Sequence, residues 1–148
     1  MQVHTSRFGL VEVDDQRAIM FAGGILGFPM EKQYVLLHPG QDSHFYWLQA
    51  VTRPDLAFVV TDPSIFVTSY RVPVKQEQLA ELRLNSLDEA QVFVIVNKRQ
   101  QVLTGNLQGP LIINVQERLG GQLVLSDRRF TTRVPLFELS RTLEAVSA

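Results

Sequence analysis

The sequence predicts a mainly β fold: a small antiparallel β-barrel-like single domain with one or two short helices and a C-terminal helix. Three observations predict it. Short runs of β-branched and aromatic residues recur between turn residues, which is the pattern of a sandwich or small barrel. The chain has 148 residues, 45% of them hydrophobic, and no cysteine, so one apolar core holds it without a disulfide staple. No internal repeat, low-complexity tract or linker divides it.

Strands are expected near residues 2–7, 10–13, 17–21, 33–38, 44–51, 56–61, 91–98, 111–116 and 122–126. Asp14-Asp15 and Gly120-Gly121 offer the side-chain bonding or positive φ that tight turns require. Gly23-Gly24, Gly27 and Pro29 break the chain into a loop after the third strand. Pro54-Asp55 and Asp62-Pro63 start turns, because proline presets φ and aspartate bonds nearby amides. The run Phe45-Tyr46-Trp47-Leu48 does not alternate with polar residues. Its strand is therefore covered on both sides, or its outer face meets another molecule.

Two stretches read as helix. Pro73 to Leu84 puts Leu79, Leu82 and Val74 on one stripe, with Lys75, Glu77, Glu81 and Arg83 outside. Ser86 and Glu89 then form a capping-box pair at the start of a short turn. Leu136, Leu139, Leu143 and Val146 recur at helical spacing, which separates a C-terminal extension, residues 137–148, from a β domain over residues 1–136. A three-turn helix is marginal alone in water, so this one docks on the body, docks on a partner, or frays.

Charge and composition exclude more than they assign. Fourteen basic and fifteen acidic side chains leave a net charge of −1, which argues against a surface that is wholly a nucleic-acid footprint. Most of the basic excess lies between Lys98 and Arg133, as a solvated rim or as a face for an acidic partner. Met1 to Arg7 is polar, unlike a signal peptide, and the longest apolar runs are about five residues where a spanning helix needs roughly 20. No membrane partner is expected.

A catalytic constellation is not legible. His38 and His44 flank Pro39-Gly40 and Asp42-Ser43 at a spacing that suits neither a helical nor a strand metal pair, and a polar turn is the expected reading. His4 falls on a terminal strand as a surface or rim residue. Asp14 and Asp15 are adjacent and cannot face each other across a substrate. Gly23-Gly24-Ile25-Leu26-Gly27 lacks dinucleotide-loop spacing, and P-loop, HExxH, GxSxG and EF-hand patterns are missing. No catalytic residue, metal or cofactor is assigned. Apolar and amide-bearing residues near turns stand out instead. Asn106 either braces its own loop or offers its amide to another protein's main chain, and Asn114 caps a strand end or does likewise. Phe66 and Tyr70 either fill core or present aromatic surface.

Six segments in order carry a resemblance. They are Arg7-Phe8-Gly9 with Val11-Glu12-Val13; Gly24-Ile25-Leu26-Gly27-Phe28; Phe45-Tyr46-Trp47-Leu48-Gln49; Pro54 through Pro63; Asn106-Leu107 with Pro110 to Asn114; and Arg133-Val134-Pro135-Leu136. Together they make the chain resemble the FliW-type flagellar assembly factor family from its first strand to Pro135. Val134 stands where family members often carry histidine, and the tail past Leu136 is longer than usual.

The resemblance implies a cytoplasmic, non-enzymatic β protein that binds flagellin and the translational regulator CsrA. Antagonism of CsrA would relieve repression of flagellin synthesis. Partner contacts are expected at Tyr46, Phe66, Tyr70, Arg99 and Asn106, with no direct nucleic acid. The alternative is a nucleic-acid-binding small barrel of OB type, with Phe45, Tyr46 and Trp47 as a stacking platform; the near-neutral charge counts against it. A third reading, an enzyme or small-ligand carrier, needs a polar pocket in the barrel mouth with a strongly perturbed titratable group.

Overall fold

The structure is a computed structural model that describes residues 1–40 and 43–138. A hairpin opens it, β1 (Gln2–Thr5) paired antiparallel with β2 (Gly9–Glu12). The barrel strands follow: β3 (Ile19–Phe21), β4 (Gln33–Leu37), β5 (Phe45–Ala50), β6 (Ala57–Thr61), β7 (Gln91–Arg99), β9 (Leu111–Asn114) and β10 (Leu119–Gln122). Antiparallel pairing runs β3–β4–β5–β6–β7, continues β7–β9–β10, and closes through a parallel β10–β3 pair. The fold is therefore the mainly β, barrel-like one that the sequence predicts.

β7 is the long strand, and its length creates a branch. Gln91–Phe93 pair with β9. Farther along, Val96–Arg99 pair with β8 (Val102–Gly105), and β8 in turn pairs with β11 (Val134–Glu138). A sheet of β7, β8 and β11 thus projects beyond the closed ring. The one α-helix among the described residues, α1 (Gln76–Glu81), is shorter than Pro73–Leu84, because Pro73 and Val74 precede its cap and Arg83 turns left-handed at φ 55°. The Ser86 turn forms as expected: Glu89 Oε1 accepts from the Asn85 and Ser86 amides at 2.9 and 3.1 Å.

Alternation along the strands builds separate cores. Tyr46, Leu48 and Ala50 of β5 join Phe93, Leu111 and Ile113 in one cluster, while Val94 and Ile112 join Tyr70, Leu79, Leu107, Leu123 and Leu125 in another. β7 and β9 are thus covered on both faces, which removes the polar alternation a half-exposed strand would show. A third cluster, Val3, Val13 and Val35, sits under the β1–β2 hairpin.

Three expectations need correction. Gly120-Gly121 is not a turn but lies inside β10, where a Cβ on Gly120 would stand 2.5 Å from Cζ of Phe21; the glycine is there for close approach. The strand expected at 122–126 is β10 three residues earlier. Leu123 and Leu125 still donate to the carbonyls of Pro110 and Gln108 at 2.9 and 2.7 Å, but Pro110 has no N–H to return, so the ladder stops. Leu136 to Glu138 are strand, not the first turn of a helix. The rest of that expected helix, with Leu139, Leu143 and Val146, lies outside the described residues, as does Asp42 of the His38–His44 turn.

Candidate partner-binding surface

On the projecting sheet, Asn97 and Arg99 alternate onto one face of β7, with Thr104 of β8 opposite Asn97. Arg133 precedes Val134, which pairs with Gly105. These residues line a groove of about 340 Å³ together with Ile95, Asn106 and Thr132. Arg99 and Arg133 are exposed, and neither has an ion-pair partner among the described residues. The groove therefore carries uncompensated positive charge beside amide and hydroxyl groups. Asn106 does brace its loop, since its Oδ1 accepts from Gly109 N at 3.0 Å, and it lines the groove as well.

The aromatic candidates are placed differently. Phe66 is half-buried at the end of the Pro63–Ile65 turn and stacks on Phe45 at 5.9 Å, beside Ile65, which is 47% exposed. Tyr46 faces inward against Phe93 at 5.5 Å and stacks on His38 at 4.6 Å. Tyr70 is 9% exposed; its hydroxyl donates to the Leu107 carbonyl at 2.6 Å and Phe130 meets its ring edge-on. Burial holds the Tyr70 phenol well above its ordinary pKa. Tyr70 is thus a brace under the loop that carries Asn106. The structure brings Arg99 and Asn106 into one groove, supported by Tyr70 from beneath, and sets Phe66 and Tyr46 against other rings.

The histidine turn is polar, as expected. His38 Nε2 lies 2.9 Å from the Ser43 carbonyl, and the His44 carbonyl accepts from Thr61 Oγ1 at 2.6 Å. Among the described residues no group of three His, Asp or Glu side chains is placed to hold a metal ion. No described helix is long and apolar enough to cross a membrane. Asn114 is structural: its Nδ2 donates to the Leu82 and Arg83 carbonyls and its Oδ1 accepts from Glu117 N, tying α1 to the β9–β10 turn.

Sequence reading missed the cluster at Trp47. The Arg7 guanidinium lies 4.1 Å from the indole centroid, and Phe8 meets the same ring edge-on at 5.9 Å. Phe45, Tyr46 and Trp47 consequently form no open stacking platform: Tyr46 faces the core, Phe45 is covered by Phe66, and Trp47 by the hairpin. Both faces of this strand carry cover, with Phe45, Tyr46 and Trp47 each partly exposed. The signal for Arg7 was its place in the Arg7-Phe8-Gly9 segment, but only the fold shows that the segment caps β5.

Comparison with known proteins agrees with this architecture. A family model described as FliW protein matches residues 2–136. The flagellar assembly factor FliW of Geobacter sulfurreducens is 39% identical over 140 residues, covering 93% of this chain and 87% of its own. That of Magnetococcus marinus is 36% identical over 139 residues, covering 92% and 85%. A crystal structure of the flagellar assembly factor FliW superposes with a TM-score of 0.84 at 33% identity, covering 93% of this chain and 97% of that one. Sequence match along nearly the whole length and a shared barrel lead to one conclusion: the chain belongs to the FliW family of flagellar assembly factors.

Proposed function

We propose that the protein is a cytoplasmic, non-enzymatic regulator of flagellum assembly that binds flagellin and antagonises the translational repressor CsrA. Free flagellin occupies the protein and leaves CsrA to block flagellin synthesis. Export of flagellin frees the protein, which then withdraws CsrA from its targets. Family membership over residues 2–136 is the observation that carries this reading. The surface chemistry supports it: Arg99 and Arg133 give a positive groove, and half-buried Phe66 beside exposed Ile65 adds the kind of apolar surface that anchors protein interfaces. Asn106 contributes an amide to the groove wall, and Tyr70 acts by holding Leu107 beside it.

Mutual exclusion of the two partners follows if their faces on this rigid barrel overlap. The arginine groove steers whichever partner is acidic, so its on-rate falls as salt rises. Stopped-flow binding of purified flagellin monomer and of CsrA tests this reading. Each is expected to bind, and the Arg99→Ala/Arg133→Ala pair is expected to slow association of the acidic partner about tenfold at low salt. Binding of neither protein would refute the function, and a flat salt dependence would refute the steering.

A further inference from the structure

Gln49 is an unusual strand residue: polar, on the outer face of β5, and 1% exposed. Its Nε2 faces the carbonyls of Ala50, Arg53, Pro54 and Leu56 at 3.1 to 3.2 Å. That settles the orientation of the amide, since the reverse would set Oε1 against four carbonyl oxygens. Oε1 is left as an acceptor with no partner among the described residues. It is not sealed in, since the Tyr34 hydroxyl is the buried side-chain atom left without a partner among the described residues, so a donor that enters the cleft can reach it.

Gln49 lines a cleft of about 430 Å³ with Ser6, Arg7, Trp47, Pro54, Asp55 and Ala57. The hairpin forms one wall and the 53–57 loop the other, fastened by a 2.9 Å bond from Ser6 N to the Pro54 carbonyl. Asp55 is paired with Arg53 at 3.3 Å, whereas Arg7 has no hydrogen-bond or ion-pair partner among the described residues. The indole beneath Arg7 fixes the plane of the guanidinium and leaves the edges of its fork free for a carboxylate. The cleft thus offers an anchored acceptor, an unpaired bidentate donor, and apolar surface from Trp47, Pro54 and Ala57.

We propose that this cleft binds an extended peptide segment of a protein partner, taking one of its main-chain N–H groups on Gln49 Oε1 and an acidic side chain on Arg7. An anion alone would make no use of Gln49 Oε1, and an amide alone would leave Arg7 unused. The site is separate from the Arg99–Arg133 groove, and the proposal stands whichever protein supplies the segment.

Trp47 is the chain's single tryptophan, so its indole N–H resonance and its fluorescence report on this cleft directly. The probe is a blocked pentapeptide with one central glutamate, titrated at millimolar concentration. A saturable shift of the indole resonance is expected. Arg7→Ala should weaken binding about tenfold or more. Arg17→Ala, an exposed arginine outside the cleft, should not change it. N-methylation of the glutamate's own amide should abolish the shift. No saturable shift overturns the proposal, as does equal binding of the glutamine counterpart. Sodium acetate reproducing the whole effect would show a bare anion site and overturn the peptide assignment. Retained binding of the N-methylated peptide removes the role of Gln49.

Discussion

Gln49 and Tyr70 each tie a loop to the barrel with a side chain that strand or turn statistics would place at the surface. Tyr70 spends its hydroxyl on a buried carbonyl, so Tyr70→Phe leaves Leu107 O unpaired and should cost about 1–3 kcal/mol in urea unfolding. Tyr34 is the contrast. It is fully buried, and its hydroxyl meets no partner among the described residues, so Tyr34→Phe should be neutral or stabilising by the same measurement. Burial pushes the Tyr34 phenol up to about 12. A raised folded-state pKa contributes stability that is present below the unfolded value, near 10, and is lost as pH rises towards the folded one. Stability should therefore hold to about pH 10 and fall between there and about 12, less steeply in Tyr34→Phe. Gly120→Ala drives a methyl into the Phe21 ring and should cost about 1–3 kcal/mol, read as a lowered Tm.

Most barrel strands were legible because their β-branched and aromatic runs are bounded by Asp, Pro and Gly. The branch was not. β8 hides behind the polar tract Lys98 to Gln101, whose tight turn is made by Gln100 at φ 56° and carries no glycine or asparagine to announce it. Gln100→Gly relieves that left-handed backbone and should raise stability by about 1 kcal/mol. β11 was hidden by a helical spacing that begins at Leu136, a pattern that pairing with β8 overrides through a bulge between Pro135 and Phe137. Among the described strands β11 lies at the end of the sheet, and Pro135 and that bulge make this end a poor template for strand addition. The candidate surface was half legible for the same reason. Arg99 and Asn106 could be named from the sequence, but Arg133 joins them only through the β8–β11 pairing. Tyr70, which the sequence leaves open between core and surface, is put under Leu107 only by the fold.

At the scale of the molecule, a net charge of −1 conceals a local surplus. Unpaired arginines gather on the projecting sheet and at the hairpin, and the barrel between them is closed and packed on both faces of its central strands. Such a body has little room to switch shape, so the proposed control over two partners calls for shared surface. The direct test is a competition titration: labelled CsrA bound to the protein, then challenged with flagellin monomer to saturation. Complete displacement, with no complex containing all three proteins by analytical ultracentrifugation, is the predicted result. A stable ternary complex that retains the CsrA signal would contradict it.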